Sequence, residues 1–416
     1  MSSLKPVRGT HDLWGEDILK HLHIVQTARR VSLSYACQEI ATPVFEFTHV
    51  FSRTLGDASD IVNKEMYTFP DKGHDELTLR PEGTAGIARA FISNGLAQHI
   101  PLKLFYQGPM FRYERPQKGR QRQFHQLGVE FIGTASSVAD VEVISLAETL
   151  LKELKIKNYQ LEVNSIGDKE SRQIFRDKLV GYLEKYKADL SEDSQLRLNV
   201  NPMRILDSKN QKDQEILLGA PKLSESLNVE SKKFFDEIIE HLEALKISYS
   251  VNEKLVRGLD YYCHCVFEFK TSDLGAQDAI LAGGRYDGLI ELMGGPHTPA
   301  VGFAAGIERL ALLHNEKIES PRPTHLIPLG ESAEKACVEL CHQLRQQGLH
   351  IDMSYSGNMS KRMKKANKAN AKFAVVVGDD ELQKGEVTLK DLDNGQQQSL
   401  SIVDLPKKLQ TLTSNN

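Results

Sequence analysis

The feature that most constrains the fold of this chain is a pair of apolar runs on either side of a basic loop. Leu102, Leu104, Phe105 and Tyr106 form the first run, bounded by Pro101 and Gly108. Phe124, Leu127, Val129 and Phe131 form the second, with Gln126, Gly128 and Glu130 interleaved. That near-alternation predicts a strand with one buried face. Between the runs lie Arg112, Arg115, Lys118, Arg120 and Arg122, so the segment reads as strand, cationic loop, strand. Cations at the tip of a hairpin suit a triphosphate or a nucleic-acid backbone. Taken alone, the loop is equally a solvated basic turn.

Composition narrows the field. A length of 416 residues implies two or more domains. A hydrophobic content of 40% with 26% charged residues is that of an ordinary globular protein. The formal net charge of -4 excludes binding of nucleic acid by bulk charge, so any such contact must come from local basic patches. The five cysteines, Cys37, Cys263, Cys265, Cys337 and Cys341, include no pair of Cys-x-x-Cys units. Free thiols in a reducing compartment are expected. Cys263-His264-Cys265 suggests a metal only weakly, because neighbours on a strand point to opposite faces. Met1 to Trp14 carries no apolar signal core and no segment is long and apolar enough to span a membrane, which predicts a cytoplasmic location.

Periodicity gives the organisation. Ile18, Leu22, Val25 and Ala28 predict an amphipathic helix running to about Ala36. Ile40 to Phe51 reads as extended, with Pro43 near its start, and Thr84 to Ile92 as a short helix. One helical stripe runs through Ile174, Phe175, Leu179, Tyr182, Leu183 and Tyr186, and another through Phe234, Phe235, Ile238, Ile239, Leu242 and Leu245. Ser191 to Ser231 between them is polar and irregular. Together they predict a helical insertion at about 170–246 within a domain spanning 1–320, after which Ile247 to Val256 returns to strand. Ser320-Pro321-Arg322-Pro323 is the clearest linker. Beyond it, strands at Leu326–Leu329, Ile351–Met353 and Phe373–Gly378 alternate with helices at Glu331–Gln346 and Ser360–Ala371. This predicts a small α/β domain over 324–416.

The chain has no Gly-x-x-x-x-Gly-Lys-Ser/Thr loop, and Gly283-Gly284-Arg285 lacks the spacing of a dinucleotide fingerprint. Instead, a series of segments resembles the class II aminoacyl-tRNA synthetases, and within them the histidyl-tRNA synthetase family. Gln107 to Glu130, with Arg115-Pro116-Gln117-Lys118-Gly119-Arg120, resembles that family's motif 2. Thr78-Leu79-Arg80-Pro81-Glu82-Gly83-Thr84 resembles its amino-acid-binding loop. Leu255 to Tyr262 and Ala282 to Leu289 resemble its two histidine signatures, and Val301 to Leu310 its motif 3. The likeness runs from Val7 to the C-terminal region, and it is the ordered set that makes it specific.

The resemblance implies an α+β catalytic domain with a mixed, mainly antiparallel sheet, followed by a C-terminal anticodon-binding α/β domain. It implies an ATP-dependent histidine–tRNA ligase with Mg2+ on the ATP phosphates, no metal cage built by the protein, and a homodimer whose motif 1 is the first helix and the strand after it. No DNA or membrane partner is implied. Activation brings a carboxylate to the α-phosphorus of ATP, and fixed cations must offset the repulsion. By resemblance these are Arg112 on the α-phosphate, Arg257 beside the scissile centre, Arg309 on the adenine and terminal phosphates, and Arg120. Glu82, Thr84 and Gln126 correspond to positions that hold the α-ammonium of L-histidine. Glu130 and Tyr262 correspond to those that hold the imidazole, with Tyr261 and Tyr286 lining the pocket. Arg115, Gln117, Lys118 and Arg122 would meet the acceptor end of tRNA(His). Read singly, Arg309 is as well a surface ion pair with Glu308, and Tyr261-Tyr262 is as well core. Two further readings stay open: a regulatory, histidine-sensing relative that charges no tRNA, and a class II enzyme for another amino acid. The intact Leu255 to Tyr262 segment and the C-terminal domain favour the histidine enzyme.

Overall fold

The computed structural model describes residues 4–55, 61–117, 119–257, 259, 261–275 and 278–413. Its contacts divide the chain into two units, Met1–Ile318 and Glu319–Asn416.

The first unit is built on eleven strands: β1 (Gln38–Glu39), β2 (Phe45–Phe47), β3 (Tyr67–Pro70), β4 (Glu76–Leu79), β5 (Leu102–Phe111), β6 (Gln123–Ile132), β7 (Gln160–Ser165), β8 (Tyr249–Val251), β9 (Cys263–Lys270), β10 (Ala279–Arg285) and β11 (Ala300–Gly306). Eight of them form one sheet in the order β1-β5-β6-β11-β10-β9-β7-β8. Its two outermost pairs are parallel and the others antiparallel. β2, β4 and β3 make a separate antiparallel sheet.

The predicted hairpin is the spine of the large sheet. β5 and β6 pair without interruption from Leu102↔Ile132 to Phe111↔Gln123. The alternation in β6 sorts its residues by face. Leu127, Val129 and Phe131 join a core packed under the helices Glu16–Ser34, Ser137–Glu153 and Val229–Ala244, with Ile24, Ile144, Leu150 and Ile238 among its members. Gln126, Gly128 and Glu130 therefore point to the opposite face. The core there holds Tyr106, Phe175, Tyr262 and Tyr286 beside the helices Thr84–Ser93 and Lys169–Leu183.

Several local expectations change. The extended reading of Ile40 to Phe51 holds only over β2, and Thr48–Leu55 is a helix. Its apolar Val50 and Phe51 are buried on one side, which a helix achieves and an edge strand would not. The first helix buries Ile24, Val25, Ala28 and Val31, while Leu22 stays exposed, so its buried stripe is rotated from the predicted one. Ser191 to Ser231 is not irregular: it holds the α-helices Glu192–Val200 and Gln211–Ile216 and several short 3-10 turns. These are anchored on Asp213, whose carboxylate accepts hydrogen bonds from Ser191, Ser194 and Ser208. Only Tyr249–Val251 of the expected 247–256 strand pairs in the sheet. Phe45, Phe47 and Phe69 on the small sheet remain 52%, 49% and 40% exposed.

The second unit is a five-stranded sheet of β12 (Thr324–Leu329), β13 (Ile351–Met353), β14 (Phe373–Gly378), β15 (Glu386–Asp391) and β16 (Gln397–Ser401), in the order β13-β12-β14-β15-β16. The first three are parallel, as strand–helix alternation requires. β15 and β16 form an antiparallel hairpin in which Val387 and Leu389 alternate with polar neighbours, a local signal the sequence reading did not use. The basic helix spans Met359–Lys368.

A fully buried ion pair ties β10 to the Ser137–Glu153 helix. Arg285 pairs with Asp140 and also donates to the carbonyls of Thr134 and Ser136 at 2.9 and 3.0 Å. Burial pushes the Asp140 carboxyl up to about 6, against the pull of Arg285. Truncating Asp140 leaves the buried guanidinium with only the carboxylate of Asp287, 3.1 Å from Nη1, as counter-charge, a loss approaching about 3–5 kcal/mol. Asp140→Ala should show that loss in equilibrium urea unfolding, and a change below about 1 kcal/mol would contradict the role assigned to the pair.

Candidate active site

The cleft on the Glu130 face of the large sheet gathers residues from several segments of the first unit. Glu82 and Thr84 come from the start of the Thr84–Ser93 helix, Arg112 and Glu114 from the end of β5, and Arg120 from the loop. Gln126 and Glu130 come from β6, Arg257, Tyr261 and Tyr262 from the segment before β9, Tyr286 from just after β10, and Glu308 and Arg309 from the first turn of the helix Ile307–Leu313 that follows β11.

Glu130 is 1% exposed, and among the described residues no cation is bonded to it. Thr84 Oγ1 donates to one of its oxygens at 2.6 Å and Tyr286 OH to the other at 2.5 Å. Burial pushes its carboxyl up to about 8, and nearby Glu82 adds to the shift. Glu82 accepts the backbone N–H groups of Thr84 and Ala85, both at 2.7 Å, and so caps the helix. Burial raises its pKa as well. Close by, Gln126 is buried and its Oε1 has no hydrogen-bond partner among the described residues. The tyrosines form a wall, with ring centroids 4.7 Å apart for Tyr261–Tyr262 and 5.6 Å apart for Tyr261–Tyr286. Burial raises all three hydroxyls, Tyr262 to about 12, so they are neutral donors and acceptors. This end of the cleft offers acceptors and apolar rings in a dry setting, suited to a small ligand bearing several N–H groups.

The other end is cationic. Arg112 Nε donates to the Pro81 carbonyl at 2.8 Å, and Arg120 Nε lies 3.1 Å from Glu114. Arg309 Nη1 donates to the Ala279 carbonyl at 2.8 Å, and its pKa is lowered by burial and then by Arg120. A buried guanidinium destabilised by neighbouring guanidiniums marks a place that an anion would stabilise. Glu308 is not the partner of Arg309 that the sequence allowed. It accepts the backbone N–H of His125 at 3.0 Å and contacts its Nδ1 at 2.8 Å. Between the two ends, Arg257 Nη1 donates to Glu268 Oε1 at 3.0 Å, and its Nε has no hydrogen-bond partner among the described residues. Burial works against its charge, but Glu268 and the tyrosines raise its pKa overall. Glu268 in turn lies 3.5 Å from Lys270. Sequence reasoning missed Glu268 and Glu114, and offered Glu308 to Arg309 where the fold gives it to His125. An acid several residues from an arginine carries no signal until the fold brings it alongside.

Of the predicted acceptor-end residues, Arg115, Gln117 and Arg122 do not line this cleft. Arg115 and Gln117 are exposed on the loop. Arg122 folds back: its guanidinium lies 3.9 Å from the Tyr113 ring centroid and its Nε donates to the Glu114 carbonyl. Lys118, Gly258 and Asp260 lie outside the described residues. The face argument at Cys263-His264-Cys265 fails, because His264 has a φ of 48° that breaks the alternation. Polar atoms of Cys263, His264 and Asp287 lie within 4.8 Å of one another. They serve the protein itself: Asp287 accepts from Arg285 and the Ala300 N–H, and Cys263 Sγ accepts the Asp287 N–H. Burial pushes the Cys263 thiol up to about 12, which disfavours the thiolate a metal needs. The five cysteines are all buried and free.

A family model for histidyl-tRNA synthetase matches residues 9–310, and one for an anticodon binding domain matches residues 324–412. The chain is 53% identical over 411 residues to the histidine–tRNA ligase of Rhodospirillum rubrum, covering 98% of this chain and 99% of that one. The apo histidyl-tRNA synthetase of S. aureus superposes with a TM-score of 0.83 at 34% identity, over 98% of this chain and 100% of the other. A Bacillus halodurans chain, described as an ATP phosphoribosyltransferase regulatory subunit/histidyl-tRNA synthetase, shares the fold at a TM-score of 0.65 and 24% identity, over 91% and 98% of the two chains.

The Glu130 carboxyl makes stability depend on pH. Its pKa of about 8 lies above the ordinary carboxylate value, so the folded chain binds the extra proton between roughly pH 4 and 8. Stability from this group is therefore full below that range and is lost as the pH rises through it. Glu130→Gln cannot ionise. The variant should gain thermal stability over the wild type from pH 5 to about 8, by on the order of a few kcal/mol. A gap that narrowed with rising pH in melting curves would overturn the assignment.

Proposed function

Because the chain belongs to the histidyl-tRNA synthetase family, we propose that it is a histidine–tRNA ligase working through this cleft. The carboxylate of histidine attacks the α-phosphorus of ATP and expels pyrophosphate. The terminal ribose hydroxyl of tRNA(His) then attacks the carbonyl of the adenylate and expels AMP. What carries this reading is that one continuous cleft joins a dry acceptor pole at Glu130 to a cationic pole at Arg112, Arg120 and Arg309, with Arg257 between.

At the acceptor pole, Glu82, Thr84 and the unpartnered Gln126 Oε1 take the α-ammonium, and Glu130 and Tyr262 take the imidazole. At the cationic pole, Arg112 and Arg120 hold the phosphates, and Arg309 supports the adenine end. Arg257 faces the charge that develops at the α-phosphorus, and Glu268 orients it. Magnesium supplies further charge neutralisation to ATP. The carboxylates here do not form a cage for it: Glu82 and Glu130 hold hydrogen bonds, Glu114 and Glu268 face arginines, and Glu308 holds His125. The ion would therefore arrive on the triphosphate. Arg115, Gln117, Lys118 and Arg122 meet the acceptor end of the tRNA. The second unit reads the anticodon loop with the exposed Lys361, Lys364, Lys365 and Lys368 and with the turn at Tyr355–Asn358. Phe45, Phe47 and Phe69 on the small sheet are covered in a homodimer. Among the described residues no helix is long and apolar enough to cross a membrane, and we place the enzyme in the cytoplasm.

The direct test is histidine-dependent exchange of pyrophosphate into ATP. A histidine-sensing module would bind the amino acid without exchanging, and an enzyme for another amino acid would exchange only with its own substrate. Arg257→Ala should lower kcat by roughly a hundred- to a thousandfold with little change in the KM for histidine. Glu268→Gln should act in the same direction by a smaller factor. If either substitution raised KM alone, Arg257 would be a ground-state binding group instead. Sedimentation at nanomolar concentration should show a dimer, and a monomer there would remove the role given to the three phenylalanines.

A further inference from the structure

The basic helix of the second unit carries one cation unlike the rest. Lys361, Lys364, Lys365 and Lys368 are exposed, but Arg362 is 5% exposed. Arg362 stands among these lysines in the sequence, but its burial rules it out as a contact for RNA phosphate. Its guanidinium is spent inside the protein on both ends of one turn. Nη1 donates to the Ser354 carbonyl at 3.1 Å, Nε to the Gly357 carbonyl at 2.5 Å, and Nη2 to Glu334 at 2.5 Å. The turn is fixed elsewhere too. Ser354 N–H donates to Leu326 at 3.1 Å, and Ser354 Oγ lies 2.7 Å from His325 Nε2. Lys365 Nζ donates to the Ser356 carbonyl at 3.2 Å, and Gly357 holds a φ of 108° that side chains rarely adopt.

All of this rigidity serves a turn whose largest side chain is in water. Tyr355 is 79% exposed. Packing of the unit gains little from an aromatic ring held there. A fixed, exposed ring beside a row of lysines is instead a platform for an unpaired base, with the lysines on the backbone. Resting on the reading of this unit as the tRNA-binding one, we propose that Arg362 is a positioning residue for RNA binding: it clamps the Ser354–Gly357 turn so that Tyr355 is presented, already ordered, to a splayed-out base of the tRNA. Prior ordering matters because immobilising the turn on binding would subtract from affinity. Only the planar fork of arginine spans two carbonyls and an acid at once, and lysine at 362 would keep the charge but lose the clamp.

The experiment is steady-state charging of tRNA(His) transcript by the full chain, with each rate referred to that variant's own pyrophosphate exchange. Tyr355→Ala should raise the KM for tRNA about ten- to a hundredfold, the range for losing one stacked base. Arg362→Lys should raise it about five- to tenfold without lowering the exchange-normalised kcat. Gly357→Ala loosens the same turn by an independent route, since a Cβ there has a disfavoured φ and meets Lys361 Cβ at 3.0 Å. It should match Arg362→Lys, which guards against a simple folding defect. The double variant Tyr355→Ala/Arg362→Lys should be no worse than Tyr355→Ala alone, because a clamp has nothing to present once the ring is gone. An unchanged KM in Tyr355→Ala would sink the RNA-binding reading of this turn itself. A raised KM in Tyr355→Ala combined with either wild-type behaviour of the two loosening variants or multiplying effects in the double variant would overturn the clamp alone.

Discussion

One constraint organises the first unit: an acid, Glu130, is buried on a sheet face with two hydroxyl donors and, among the described residues, no bonded cation. A charge placed this way is costly unless every lone pair finds a partner or the group stays protonated. Both remedies are visible. Thr84 arrives from the first position of the Thr84–Ser93 helix and Tyr286 from just beyond β10, on the same face of the sheet. Space is kept as well. Gly302 pairs with Glu130 across β6 and β11, and a Cβ at that position would overlap the Glu130 carboxylate. The glycine is there because the acid is.

The same logic separates the arginines, which sequence cannot do. Arg80, Arg285 and Arg362 are buried at 6%, 0% and 5% exposure and donate to backbone carbonyls that they hold in place. Arg112, Arg120, Arg257 and Arg309 line a cleft, and Arg309 is visibly disfavoured by its cationic neighbours. The first set staples loops and the second set stores an unbalanced field. Both sets are written with the same letter, and neighbouring residues do not distinguish them. Arg362 sits among four lysines and belongs to the first set, whereas Arg257 follows an apolar run and belongs to the second.

What was legible follows from range. The β5–β6 hairpin, the Thr84–Ser93 helix and the parallel half of the second unit were readable because their signals are local: period, turn residues and apolar runs. The helix at Thr48–Leu55 was not, because Phe45, Phe47, Val50 and Phe51 form an apolar run that suits either state, and burial of the last two on one side decides it. The short helices of 191–231 were hidden by their polarity, since serine side chains gathered on Asp213 hold them as much as apolar burial does. His264 defeated the alternation rule through one positive φ, which no composition announces. The cleft's arginines and acids were named by an ordered set of segments. Their partners Glu268 and Glu308 depended on which strands became neighbours.

The choice of a buried acid over a cation or an apolar wall has a chemical rationale under the proposed reaction. An imidazole offers a donor on one nitrogen and an acceptor on the other, and a site selects it best by leaving its own polar groups unpaired when the ring is absent. Burial pushes the Glu130 carboxyl up to about 8, which favours its protonated form near neutral pH, with Thr84 and Tyr286 bonded to it. A ligand that brings a ring N–H and an ammonium toward Glu130 and Glu82 supplies the positive field that burial withheld, and so favours ionisation at the moment of binding. An apolar ring of the same shape supplies no such field and would bury the same groups without compensation. Selectivity then comes from the cost already stored in the empty site, which is why the stabilising substitution at position 130 and the loss of discrimination have one physical origin.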